Sequence, residues 1–239
     1  MIEEPPILTI NQARRRPTPE QIAAFQGVPT GFVVDALDGG HTLAAAIKPL
    51  GEGRDLPFAA AGPALTAACG PADILALQAA LAFVSQGDIV VAGFDGHQGC
   101  ATCGDRVAQM LKNGGAAGFV SDGPVRDYEG LVAVGLPIWC TGLTPSTPFS
   151  KGPGRVGFAM QVGGQGVDTG DMVVADRDGV VVVPFARIDQ VIARLDHIRA
   201  LEAELDAKVA DGMKCPPAIE ALLAGDQVTY EAEPPSGAG

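Results

Sequence analysis

Residues 94–129 read FDGHQGCATCGDRVAQMLKNGGAAGFVSDGPVRDYE, and this stretch decides the fold. Just before it, Gly87-Asp88 turns the chain into the apolar run 89–92 (Ile-Val-Val-Ala), which has the length and β-branching of a buried strand. A loop with Gly96, Gly99 and Gly104 follows. Val107, Met110 and Leu111 then recur at helical spacing, predicting a helix over Asp105–Asn113 that Gly114-Gly115 ends. Residues 117–121 predict a second strand, Tyr128–Val134 a second helix, and 136–140 a third strand. Strands alternating with helices predict an α/β protein with parallel pairing at its centre.

Outward on the N-terminal side, Thr18-Pro19-Glu20 has the residues of a helix start: a capping hydroxyl, proline in the first turn and an acid. A second helix is expected from Pro29-Thr30 to Asp38, ended by Gly39-Gly40. A strand is expected near residues 63–68, then a helix over 72–86 with Ile74, Leu77, Leu81 and Val84 on one face. On the C-terminal side, residues 155–162, 172–175 and 179–184 predict antiparallel strands separated by Gly/Asp turns. A helix over 186–210 carries Ile188, Val191, Ile192, Leu195, Ile198, Leu201 and Leu205 as its apolar stripe. The expected organisation is an irregular, solvated arm over 1–19 bearing Arg14-Arg15-Arg16, a single domain over 20–215 and a tail over 216–239. The tail is expected to be disordered from Glu231.

Composition excludes several classes. The 239 residues carry 16 Lys+Arg against 28 Asp+Glu, a formal charge of −12. Such an acidic chain is not expected to bind nucleic acid, whose phosphates need a basic surface. Hydrophobic residues at 47% exclude an intrinsically disordered chain. No apolar run nears the ~20 residues of a membrane span. The first residues lack an export signal, and the five cysteines are an odd number, so a reduced, cytoplasmic protein is expected.

The chemistry concentrates in the same stretch. A glycine-rich loop running into a helix presents unpaired N–H groups and a partial positive charge to an anion. Downstream, Arg126 offers a fork for a carboxylate, and Asp127 beside it can hold a hard cation. The competing reading of each piece is structural: a chain-turning loop, and an Arg–Asp turn.

Together, Asp95-Gly96, Gly104-Asp105 and Asp122-Gly123-x-x-Arg126-Asp127-x-Glu129 resemble the RraA-like superfamily. So do the Asp35-Ala36-Leu37 helix and the run from Gly170-Asp171 through Asp176, Gly179-Val180 and Pro184. The resemblance covers roughly residues 25–215. It implies a swivelling β/α/β sandwich with a mixed central sheet, assembled as trimers or hexamers. Enzymes of this family are 4-hydroxy-4-methyl-2-oxoglutarate and 4-carboxy-4-hydroxy-2-oxoadipate aldolases. By resemblance, Mg²⁺ or Mn²⁺ would be held at Asp127, and Arg126 would bind the oxo acid and stabilise a pyruvate enolate. The first turn of the helix, Gly104, Asp105, Arg106 and Val107, would bind the pyruvyl carboxylate. Glu202 or Glu204 of a neighbouring subunit would complete the metal site. Oxaloacetate decarboxylation would follow from the same groups. The alternative is a non-catalytic regulator, like the RraA protein that inhibits ribonuclease E.

The chain departs from the family pattern in three places. Ala72-Asp73-Ile74 stands where Gly-Asp-Asn is usual, Arg106 replaces an apolar residue, and the loop holds His97, Cys100 and Cys103. Cys100-x-x-Cys103 has no second cysteine pair and reads as small loop residues rather than a zinc site. His97 is a candidate base or ligand, with a surface histidine as the competing reading. Trp139 is expected in the core, and Asp176-x-Asp178-Gly179 as a hairpin turn.

Overall fold

The computed structural model describes residues 6–231. Most of the expected disordered tail lies outside the described residues. Eleven strands run in chain order. They are β1 (Leu8–Ile10), β2 (Lys48–Pro49), β3 (Ala60–Ala68), β4 (Ile89–Gly93), β5 (Gly118–Ser121) and β6 (Ile138–Cys140). Then come β7 (Gly154–Val156), β8 (Met160–Val162), β9 (Gln165–Val167), β10 (Met172–Ala175) and β11 (Val180–Val183). The α-helices are α1 (Pro19–Ala24), α2 (Thr30–Ala36), α3 (Leu75–Ala80), α4 (Asp105–Asn113), α5 (Tyr128–Val134), α6 (Ile188–Ala210) and α7 (Pro217–Leu223).

The chain divides into two compact units, one up to Ile198 and one from Arg199 on. The division falls inside α6. In the first unit, β3, β4, β5 and β6 pair in parallel, so the central α/β reading holds. The sheet is mixed, because β7 runs antiparallel to β3 and β2 antiparallel to β6. β3 serves two ladders. Its second half pairs β4, while Ala60–Pro63 pairs β10, which continues into the antiparallel β10–β11 hairpin.

Burial follows the layers. One cluster (Leu65, Leu77, Val90, Leu111, Phe119, Leu131) lies among β3–β5 and α3–α5. A second (Phe25, Val33, Met172, Val183, Val191, Leu195) joins α1, α2 and α6 to the hairpin. A third between them includes Val91, Val120, Trp139 and Val173. Trp139 is fully buried and donates its indole N–H to Asp176 O at 2.7 Å. Asp176 itself caps α2, accepting from the Thr30 N–H and hydroxyl, both at 2.8 Å.

Four expectations are corrected. First, the arm is not irregular throughout its described residues. Residues 8–10 form β1, parallel to β7. Arg16 and Arg14 reach Asp88, a carboxylate only 1% exposed, and Arg15 pairs with Asp168 at 2.7 Å. A buried carboxylate needs such partners, which sequence distance concealed. Second, the helix expected over 72–86 shortens to α3 and a 3₁₀ turn at Leu81–Phe83. Asp73 accepts the Leu75 N–H at 2.8 Å and so stands outside the helix. Third, residues 155–162 split into β7 and β8, which belong to different sheets. The break is at Gly157, whose φ is +84°. Fourth, the stripe of α6 is buried only through Ile198. Leu201 and Leu205 are exposed. In the second unit, part of the expected tail forms α7, and Tyr230 donates to Leu223 O at 2.9 Å.

Candidate functional site

The loops leaving the C-terminal ends of β4, β5 and β6 are laced into a short extension of the sheet. Cys103 pairs with Val125, and Val125 with Leu143, all in parallel. The Thr102 N–H donates to Pro124 O at 2.8 Å and the Arg126 N–H to Cys103 O at 2.9 Å. The Val125 N–H donates to Gly142 O, also at 2.9 Å. This ladder brings Gly104 beside residues 126–127, although they are far apart in sequence. Loop ends at the carboxyl edge of parallel strands are the usual ligand position of such sheets.

Asp122-Gly123 builds the scaffold. Asp122 is buried, and its two oxygens accept the N–H of Phe94 at 2.6 Å and of Gly96 at 3.0 Å. Gly123 lies so close to its neighbours that a Cβ there would stand 2.6 Å from both Phe94 Cδ1 and Thr102 Cγ2.

Arg126 and Asp127 face outward. Asp127 holds φ 64°, ψ 48°, the left-handed region that costs most side chains energy. It starts α5, yet its carboxylate makes no cap bond to that helix. Instead Oδ2 lies 3.3 Å from Arg126 Nε, and Arg126 Nη1 donates to Thr147 Oγ1 at 2.9 Å. Gly104 faces this pair: a Cβ on it would sit 2.5 Å from Asp127 Oδ2. The glycine therefore leaves the space that the carboxylate uses.

A cleft of ≈570 Å³ opens here. Gly104, Asp105, Arg106, Val107, Arg126 and Asp127 are among its lining residues. Within the first turn of α4, the Arg106 N–H is taken by Asp105 Oδ1 at 2.7 Å. The Val107 N–H has no acceptor among the described residues, as the first turn of a helix allows. No sequence motif marks the rest of the lining, which includes Gln78, Thr147, Pro148 and Ser150. Thr147 gave no local signal, because its partner lies 21 residues away in sequence. Ile74, at the family's polar position, is a buried apolar part of the lining.

Glu202 and Glu204 lie on α6 in the second unit. Glu204 pairs with Lys208 at 2.6 Å, and that hydrogen bond holds its carboxyl below the usual range. Among the described residues, no three His, Cys, Asp or Glu side chains cluster as a ready-made metal site. The donor chemistry at the cleft is two carboxylates, Asp105 and Asp127, and Asp127 makes no cap bond to its own helix. That suits Mg²⁺ or Mn²⁺, since Mg²⁺ keeps several waters and takes few protein carboxylates.

The loop's other conspicuous residues stand apart. His97 packs edge-on against Phe94, with ring centroids 5.5 Å apart, and does not line the cleft. Cys100, Cys103 and Cys140 are buried, and burial pushes their thiols up, Cys140 to about 11. All three are thiols rather than thiolates at neutral pH.

One carboxylate ties the cleft's rim together. Asp73 accepts the N–H of Leu75 at 2.8 Å, of Lys151 at 2.6 Å and of Gly152 at 3.0 Å. Burial opposes its ionisation, but the three amides outweigh burial and hold its carboxyl below the usual range. A lowered folded value stabilises the protein above the unfolded carboxylate range of about 4, and the gain is lost as pH falls through the folded value. Urea unfolding should therefore find wild type more stable than Asp73→Asn at pH 6, with the gap narrowing as pH falls below about 4. A gap independent of pH would refute the assignment. Ala72 next to it holds φ 60°, where glycine is the ordinary resident.

Fold and cleft together define an α/β protein with an open cleft at the carboxyl edge of its parallel strands. The RraA-like family model (Aldolase/RraA) matches residues 30–182, and the chain belongs to this family. A protein of Halalkalibacterium halodurans named "Putative 4-hydroxy-4-methyl-2-oxoglutarate aldolase" is 34% identical over 202 residues, covering 84% of this chain and 93% of that one. The solved structure of Streptomyces coelicolor RraAS2, described as an unusual member of the RNase ES inhibitor RraA protein family, superposes with a TM-score of 0.68. It is 30% identical, with 80% of this chain and all of that one covered. An uncharacterized protein from Pseudomonas syringae shares the fold, with a TM-score of 0.70 at 21% identity, covering 84% and 96% of the two chains. Among the described residues, no helix is long and apolar enough to cross a membrane.

Proposed function

We propose that the chain is a divalent-metal-dependent lyase that cleaves a 4-hydroxy-2-oxo carboxylic acid to pyruvate by a retro-aldol reaction. The observation that carries this reading is the convergence of Arg126, Asp127 and the first turn of α4 on one cleft. The similarity to the Halalkalibacterium halodurans protein supports it, as does the long helix after Pro184, which can carry an acid to a neighbouring copy.

The substrate's C1 carboxylate sits at the first turn of α4, where the Val107 N–H and the helix's positive end favour an anion. Thr147 and Asp127 hold the Arg126 guanidinium in place for the C2 oxygen. A water in the cleft takes the C4 hydroxyl proton, C4 becomes the carbonyl carbon of the departing product, and the C3–C4 bond breaks. Its electron pair moves toward the C2 oxygen, giving pyruvate enolate. Arg126 stabilises this charge, which is absent in the ground state. The proton taken from the C4 hydroxyl, returned through water to C3, releases pyruvate. A divalent cation, Mg²⁺ or Mn²⁺, held at Asp127 directly or through water, supplies Lewis-acid stabilisation when bound. Oxaloacetate losing CO₂ yields the same enolate, so decarboxylation is proposed of the same groups. No lysine Schiff base is needed.

The proposed assembly is a homotrimer or hexamer, in which Glu202 or Glu204 of a second copy supplies the remaining acid near the cation. Glu202 is the freer of the two, because Glu204 is engaged by Lys208.

A coupled assay tests the reading. Pyruvate should appear from 4-hydroxy-4-methyl-2-oxoglutarate or oxaloacetate with Mg²⁺ and vanish with EDTA. No Mg²⁺-dependent pyruvate from either sinks the lyase reading for these substrates. The similarity to Streptomyces coelicolor RraAS2 favours a second reading, a non-catalytic regulator of ribonuclease activity. Inhibition of an RNase E-type enzyme, with no pyruvate release, would favour that reading.

A further inference from the structure

The cleft holds a cation that the proposed chemistry does not use. Arg106 lies on the first turn of α4 and lines the cleft, with its side chain exposed. Among the described residues it is the one arginine with no ion pair, hydrogen bond or ring partner for its guanidinium. Arg14, Arg15, Arg16, Arg54, Arg126, Arg187 and Arg194 are ion-paired. Arg155 and Arg177 stack on Phe158 and Phe58, and Arg199 also has a partner. In a chain with 28 acids and 16 basic residues, a partnerless arginine stands out.

Its position makes this more pointed. The start of a helix favours acids, and a cation there meets the positive end of the macrodipole. Arg106 adds to that positive field instead of offsetting it. Its neighbour Asp105 forms no ion pair with the guanidinium; Asp105 Oδ1 accepts the Arg106 backbone N–H at 2.7 Å instead. Arg126 stands on the same cleft but is already engaged by Asp127 and Thr147. The cleft thus holds two guanidiniums, Arg126 paired with Asp127 and Arg106 unpaired, and the unpaired one is open to a ligand's carboxylate.

We propose that Arg106 is a specificity-determining residue: its guanidinium binds a second carboxylate of the substrate, remote from the one beside the 2-oxo group. The preferred ligands are accordingly 2-oxo dicarboxylates rather than 2-oxo monocarboxylates. Ile74, Val107 and Met110, which also line the cleft, give the carbon chain between the two carboxylates an apolar surface. This rests on the proposed placing of the oxo-acid end at α4 and Arg126.

The test uses the full-length protein with Mg²⁺ and two stable probes, pyruvate and 2-oxoglutarate, with affinities measured by calorimetry. Wild type should prefer 2-oxoglutarate by roughly 10- to 100-fold, the yield of one charge-assisted hydrogen-bonded pair. Arg106→Leu should bring that ratio close to one, and Arg106→Lys should restore part of it. A purely structural role would not give this order. Where turnover is measurable, the loss should fall on KM for dicarboxylate substrates more than on kcat. An unchanged ratio in Arg106→Leu, with pyruvate still bound, overturns the role of Arg106 and leaves the lyase reading standing. Failure of wild type to bind either probe overturns both. If Arg106 pairs with an acid of a second copy instead, Arg106→Leu will lower the oligomeric mass in sedimentation without moving the ratio, which also overturns the proposal.

Discussion

Replacing Asp127 with asparagine is expected to cut Mg²⁺-dependent pyruvate release by about 10²–10³-fold or more while the protein stays folded. The choice of asparagine matters. Asp127 sits at φ 64°, and asparagine tolerates this region better than alanine does. The substitution removes charge without adding backbone strain. Its carboxylate caps no helix and its side chain is 44% exposed, so little folding energy depends on it. Arg126→Ala should lose turnover to a similar degree, because it removes the donor aimed at the developing oxyanion. The two should not multiply in the double variant, since Arg126 Nε and Asp127 Oδ2, 3.3 Å apart, act as a unit. Near wild-type turnover in either single variant, with melting temperature and oligomeric mass unchanged, would reject this pair as the reacting site.

Asp122→Ala should do the opposite: it should act first on stability, lowering it by about 2–4 kcal/mol. Asp122 and Asp127 belong to one short motif, but their surroundings differ. Asp122 is 7% exposed, and its carboxylate accepts two backbone amides from the exit of β4. Alanine would leave the Phe94 and Gly96 N–H groups without their acceptor. Asp122→Asn keeps one acceptor and turns an NH₂ toward the other amide, so it should fall between wild type and alanine. Urea unfolding with an unchanged m-value gives the measurement. A loss under about 0.5 kcal/mol, the size of an ordinary surface change, would show that the clamp is dispensable.

The contrast shows how far the sequence reaches. Asp-Gly-x-x-Arg-Asp marks this segment as unusual, but only the fold separates its members. Asp122 turns inward to amides, Gly123 gives way to Phe94 and Thr102, and Arg126 and Asp127 turn out to the cleft. α4 and α5 could be read residue for residue, because their start and stop signals are local: glycine before or after, apolar spacing within. α1 was legible for the same reason, and Thr18 and Gln21 form its capping box. The arm was not legible. Arg14, Arg15 and Arg16 look solvated until Asp88 and Asp168, more than 70 residues on, are brought to them.

By itself, then, the sequence determined the order of the central strands and helices from β3 to β6, the glycine-rich entry to α4 and the residue types available at the cleft. These depend on neighbours within a few residues. The tertiary structure alone decided three things: the β1–β7 pairing that anchors the arm, the doubling of β3 between two ladders, and the ladder of Cys103, Val125 and Leu143. That ladder places Gly104 against Asp127. Such contacts join residues whose separation along the chain carries no pattern, and they form only when burial of the shared core offsets the entropy of closing the loops between them.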